Sequence, residues 1–98
     1  MKLLGRDKLE KYIKKHADAK KPLLAWQNAV LHAEWENTHD VKERFSSADF
    51  LGQSDNRVIF NIKGNHHRLV VKVRYGKNGM VVVEWVETHA EYSKKKFN

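Results

Sequence analysis

This sequence predicts an α+β domain: two N-terminal helices and a short third, packed on a small antiparallel β-meander. Three observations lead there. Apolar residues recur at helical spacing up to about residue 45 and alternate at strand spacing from Val58 to Glu87. The alternating stretch is cut twice by turn dipeptides, Gly64-Asn65 and Asn78-Gly79, which suit the positive φ values of tight hairpins. A chain of 98 residues is about one domain, so residues 1–98 are expected to share one core.

The first helix is predicted over Arg6–His16. Leu9, Tyr12, Ile13 and His16 recur at i, i+3, i+4 and i+7, with Lys8, Glu10, Lys11, Lys14 and Lys15 on the outer face. Pro22 suits the first turn of a second helix, expected to run to Trp35. Its stripe is Leu23, Trp26, Val30 and Ala33, widened by Leu24, Leu31 and Trp35. Thr38 is expected to cap a short third helix reaching Phe45. Ser46–Arg57, polar and holding Gly52, Asp55 and Asn56, reads as a loop pinned by Phe50 and Leu51. Strands follow at Val58–Lys63, Arg68–Tyr75 and Met80–Glu87. In the third, Val81, Val83 and Trp85 are expected on one face and Met80, Val82, Glu84 and Val86 on the other. The tail Ser93–Asn98 is basic and expected to fray.

Composition narrows the function classes. The 41% apolar content with ten aromatics supplies a core, and the absence of cysteine removes disulfides, thiolate nucleophiles and thiolate metal sites. No apolar run approaches a signal peptide or a membrane span, so a cytoplasmic protein with no membrane partner is expected. Net charge is +7 and unevenly spread. Residues 1–21 and 58–98 each carry eight basic and three acidic groups, whereas residues 22–57 carry three basic and six acidic. Such a field attracts polyanions, which points to nucleic acid or an acidic protein partner.

The middle strand carries the sharpest local signal. Arg68, Val70, Lys72 and Arg74 share one face, while Leu69, Val71, Val73 and Tyr75 fall on the other. A small sheet presenting arginine and lysine beside a histidine and a tyrosine is suited to gripping a phosphate backbone. The alternative is ordinary exposed strand residues, with Glu84 as a cross-strand ion partner worth roughly 0.2–1 kcal/mol.

Several motifs in order carry a family resemblance: Trp26 and Trp35; Val41-Lys42 and Phe45; Ser47-Ala48-Asp49-Phe50; Val58-Ile59-Phe60-Asn61-Ile62. Gly64-Asn65 with Arg68-Leu69-Val70-Val71 and Thr88-His89-Ala90-Glu91-Tyr92 complete the set. Along nearly its whole length the chain resembles the HigB family of bacterial type II toxins, within the RelE/ParE-like superfamily. The resemblance implies a RelE-like fold and an mRNA interferase that cuts translated messages, typically on the ribosome, and is held inactive by a cognate helix-turn-helix antitoxin. This chain departs from the family where it has Lys63 for a common Gly, His66-His67 for Lys-Tyr, and Ser93 for Asp.

Metal-free RNA cleavage uses the substrate's own 2′-hydroxyl, so no cofactor is expected. The protein must remove that proton, stabilise the charged transition state and protonate the leaving 5′ oxygen. Arg68 is the candidate for phosphate, because its planar fork pairs two oxygens and stays charged. His89 suits proton transfer, and Tyr92, three residues later, shares its side if a helical turn begins there. Lys63, Asn65, His66, His67, Lys72 and Arg74 are the candidate RNA contacts. Each has a competing reading. His89 as a cap, Tyr92 as core packing, His66-His67 as a polar turn, and zinc held by His66, His67 and His89 are the alternatives. Trp26, Trp35 and Trp85 are expected in the core, with base stacking the lesser option. Two other functions stay open: a same-fold toxin that poisons DNA gyrase, and a non-catalytic RNA-binding module.

Overall fold

A computed structural model describes residues 1–51 and 56–92. The expectations for Gly52, Asp55 and the tail Ser93–Asn98 lie outside the described residues. The elements run β1 (Lys2–Leu4), α1 (Arg6–Lys15), a 3-10 turn (Ala17–Ala19), α2 (Lys20–Leu31), α3 (Thr38–Arg44), β2 (Asp49–Phe50), β3 (Arg57–Ile62), β4 (His67–Arg74), β5 (Met80–Thr88) and α4 (His89–Tyr92). Strands are ordered β1-β5-β4-β3-β2. The predicted meander β3-β4-β5 is the centre of a mixed five-stranded sheet. To it are added a parallel β1 against β5 and an antiparallel β2 against β3. Both additions are too short, at three and two residues, to show a period.

The helices cover one sheet face. Leu9 and Tyr12 of α1, Leu23, Trp26 and Val30 of α2, and Val41 of α3 pack against Val58, Phe60, Ile62, Leu69, Val71, Val73, Val81, Val83 and Val86. Phe60 is the hub, with the rings of Trp26, Trp35 and Phe45 at 5.5, 6.3 and 5.1 Å. Gly5, at φ 84, turns the chain from β1 into α1 so close to β5 that a Cβ would sit 2.8 Å from the Val83 carbonyl oxygen.

Four expectations change. First, α2 stops at Leu31, not Trp35, because its last carbonyls find other partners. The Met1 amino nitrogen donates to the Val30 and Leu31 oxygens at 3.0 and 3.3 Å, and the His32 ring bonds the Asn28 oxygen. The extended residues that follow lower Trp35 into the core, while Leu24 and Leu31 stay 48% and 44% exposed. Second, Asn37, not Thr38, caps α3; its side chain accepts from the Asp40 N–H at 3.0 Å. Third, the hairpins are wider than two residues. The first loop is 63–66, with Lys63 and Gly64 left-handed at φ 53 and 64, and the second places Gly76 and Asn78 at positive φ.

The fourth change matters most. Val70 pairs with Trp85 but Val71 pairs with Val83, so Glu84 is the extra residue of a β-bulge. Parity flips there. Val86, not Trp85, joins Val81 and Val83 in the core, and Trp85 moves to the face that α1, α2 and α3 leave uncovered.

Candidate functional site

Each row across the sheet lies on one face, so the register defines the open surface. One row is Asp49–Ile59–Val70–Trp85, the next Asn61–Arg68–Glu87, and beyond Ile59 in the other direction lies Arg57–Lys72–Val82. Ile59 and Val70 are buried under their neighbours on this face. Glu84, the alternative partner for Arg68 or Lys72, instead accepts from Arg57 Nε at 2.9 Å. Arg68 forms no ion pair among the described residues.

The end of β5 builds the rest of the site. Thr88 Oγ1 accepts from the Glu91 N–H at 3.2 Å and donates to the Glu91 carboxylate at 3.1 Å. This capping arrangement nucleates α4 within four residues. The His89 N–H donates to the His66 oxygen at 3.0 Å, tying α4 to the first hairpin. The helical turn then carries Tyr92 back over the sheet, where the Arg68 guanidinium carbon sits 5.0 Å from its ring centroid. That is inside the range of a cation–π contact, about 6 Å. Tyr92 in turn lies 5.5 Å from the Trp85 ring. Trp85, Tyr92 and Arg68 thus form a contiguous row of groups, with the two rings tilted 44° to one another.

Two buried polar atoms on directly paired residues are unsatisfied among the described residues: Arg68 Nε and Asn61 Oδ1. Such atoms each cost about 1–3 kcal/mol and call for a water or a ligand. Arg68 is held by packing and stacking with hydrogen-bonding capacity to spare.

The predicted site residues divide by position. Arg68 and Tyr92 are brought together, with His89 in the same helical turn as Tyr92. Lys72 and Arg74 share the open face but lie farther along β4, about 13 and 20 Å from Arg68 at the usual rise per residue. Arg74 also donates to the Asn78 oxygen at 3.2 Å. Asn65 and His66 are exposed in the first hairpin, while Lys63 is tied to Asp18 at 3.2 Å.

His67 points away from this surface, and its expected place as an RNA contact does not fit. It belongs to β4, has the parity of Leu69 and is 3% exposed. Its Nε2 meets Asp18 at 3.0 Å and its Nδ1 meets the Tyr12 hydroxyl at 2.5 Å. His16 stacks on Tyr12 at 4.3 Å. The hydrogen bond from His67, with Lys63 adding to it, holds the Asp18 carboxyl down at about 2. Burial, with the charges of Glu87 and Glu91 adding to it, pushes the Tyr12 phenol up, so it stays neutral. The consistent tautomer has Tyr12 donating to Nδ1 and Nε2–H donating to Asp18. This Asp18–His67–Tyr12 chain joins the 3-10 turn, β4 and α1. Periodicity in the sequence does not reveal it, apart from the parity that extends the Leu69–Val71–Val73 face back to His67.

A cleft of about 360 Å³ opens beside α1, lined by Lys8, Lys11, Lys15, His16, Trp85 and Glu87 among others. Among the described residues no helix is long and apolar enough to cross a membrane.

Residues 19–95 match the family model of HigB toxins, described as the RelE-like toxic component of a toxin-antitoxin system. The match spans the sheet from β2 to β5, all of α2 and α3, and the turn carrying His89 and Tyr92. No curated protein matches the chain.

Proposed function

This chain belongs to the HigB family of RelE-like toxins, the toxic component of a toxin-antitoxin system, and from that premise we propose that it is an mRNA interferase. Its substrate is translated mRNA, bound on the ribosome. The observation that carries the reading is the Arg68 guanidinium. It is stacked on Tyr92 at 5.0 Å, has an unpartnered Nε and forms no ion pair among the described residues, on the sheet face that the helices leave open. A cation fixed in this way, set between Asn61 and Glu87 across the sheet and with a donor to spare, is suited to an anion from outside the chain.

The chemistry assigned to the site is a transesterification. The substrate 2′-oxygen bonds to the adjacent phosphorus, the bond to the 5′ oxygen breaks, and one proton leaves the 2′-hydroxyl while another reaches the 5′ oxygen. The reaction requires no metal-bound water, because the nucleophile belongs to the substrate. Arg68 pairs the non-bridging oxygens as charge develops, a task typically worth about 3–4 kcal/mol. His89 moves a proton, and Tyr92 orients the reacting nucleotide. Asn65 and His66 at the hairpin, with Lys63 beside them, guide the strand towards Arg68. Lys72 and Arg74 extend the cationic track along β4. A cognate antitoxin, of the helix-turn-helix kind, silences the toxin by covering this surface.

The test is induced expression in bacteria, with growth and the 5′ ends of cellular messages followed over time. Growth arrest with new internal ends in open reading frames is expected, and Arg68→Ala abolishes both. Arrest with intact messages contradicts the nuclease reading, and double-strand DNA breaks in its place select a gyrase poison.

A further inference from the structure

Trp85 has no role in the reaction just described, yet the bulge at Glu84 moves it out of the core and onto the working face. Its ring contacts Tyr92, and it also lines the cleft between α1 and β5. It therefore forms the wall between the Arg68 site and that cleft. The cleft follows the edge of β5 beyond Val82, where β1 pairing ends. Its far wall is the α1 row Lys8, Lys11 and Lys15, spaced i, i+3 and i+7 on one helix face. Lys8 already reaches the bared edge, donating to the Glu84 oxygen at 3.1 Å. Of the acidic lining, the Glu84 carboxylate pairs with Arg57, and Glu87 and Glu91 face the three lysines. The volume of about 360 Å³ lies within the range of small-molecule sites, roughly 300–1,000 Å³.

We infer that this cleft is a nucleotide subsite for single-stranded RNA, with Trp85 as the platform for a base and the α1 lysines holding the phosphate that follows it. The inference rests on the RNA reading above and deepens it. An indole face at the mouth of a lysine-lined groove is the arrangement by which single strands are held without sequence readout. Continuity from Arg68 through Tyr92 to Trp85 puts this subsite one step from the reacting phosphate. The sheet thus offers two exits for a strand gripped at Arg68: along Lys72 and Arg74, or over Trp85 into the cleft.

Tryptophan emission reads this out directly. Trp26 and Trp35 are 2% and 4% exposed, so Trp85 is the indole open to a ligand. The purified chain is titrated with a short single-stranded RNA, following emission and, separately, binding. The wild type is expected to bind with quenching, Trp85→Phe to bind within a few-fold but without it, and Trp85→Ala to bind about 5- to 150-fold more weakly. Wild-type affinity in Trp85→Ala, or undiminished quenching in Trp85→Phe, overturns the subsite. A wild type that binds no RNA overturns the subsite, whereas the RNA reading stands or falls separately on whether messages are cut on the ribosome.

Discussion

His67 and Arg68 are neighbours in one strand and have opposite fates. His67 faces the helices, is 3% exposed, and has both ring nitrogens engaged by Asp18 and Tyr12. Arg68 faces away, rests on an aromatic ring, and keeps an orphaned Nε, as its strand partner Asn61 keeps an orphaned Oδ1. The strand alternation that separates them is ordinary; what differs is where the polar valence goes. On the covered face the His67 ring has both nitrogens engaged and gains rigidity, although Trp26 Nε1 is buried there without a partner among the described residues. On the open face it leaves capacity unspent, which suits a site that must bind something else.

Substitutions can break that contrast. The largest effect is expected at Arg68. Arg68→Ala should lower toxicity and RNA cleavage by at least about 100-fold while the melting temperature moves little. Arg68→Lys, which keeps the charge but loses the fork, should recover only part of the activity. Equal loss of activity and stability would show that Arg68 is a structural residue. His67→Ala should behave in reverse. It orphans the buried Tyr12 hydroxyl and opens a cavity, costing about 2–3 kcal/mol and lowering the melting temperature by roughly 10–20 °C. Any activity lost should return when the protein is assayed well below that temperature.

Acid sharpens the comparison further. The Asp18 carboxyl is held at about 2, below its ordinary 3.8, by the hydrogen bond from His67. A carboxyl depressed in the folded state contributes stability above its unfolded value, and that contribution disappears as pH falls towards the folded one. Melting temperature should therefore drop between about pH 4 and pH 2, and Asp18→Asn should flatten that part of the curve. Parallel curves for the two proteins would contradict the assignment.

The smallest effect is expected at Lys63. Its φ of 53 is a conformation that glycine adopts freely and other residues enter at a cost of about 1–2 kcal/mol. Lys63→Gly relieves that strain and loses an ion pair to a well-exposed Asp18, worth at most about 1 kcal/mol. A rise of a few degrees in melting temperature is expected, and a clear fall would mean that the Lys63–Asp18 pair matters more than its exposure suggests.

Much of this contrast is legible in the sequence. The Leu69–Val71–Val73 alternation assigns Arg68 to the open face, and the Thr88–Tyr92 motif brings in His89 and Tyr92 as family residues. Three features escape it, each for a physical reason. Met80–Val86 is apolar at every position but Glu84, so its pattern cannot locate the bulge that turns Trp85 outward. The turn signal of Gly64-Asn65 draws His67 into the hairpin, although one more step of the Leu69–Val71–Val73 alternation reaches it. Asp18 and Tyr12 lie 49 and 55 residues from His67, so only tertiary packing brings that chain together. The Thr88–Glu91 capping pair, by contrast, is a local signal that marks the start of α4.

The open-face arginine is proposed to hold the scissile phosphate. The most direct test is the single-turnover rate at which a defined message is cut on translating ribosomes by the wild type and by Arg68→Ala, with the melting temperature of each recorded. Cleavage by the wild type is expected, with a rate lower by about 100-fold or more in the variant and matching melting temperatures. An uncut message with the wild type, or cleavage at the same rate by the variant, would contradict this role.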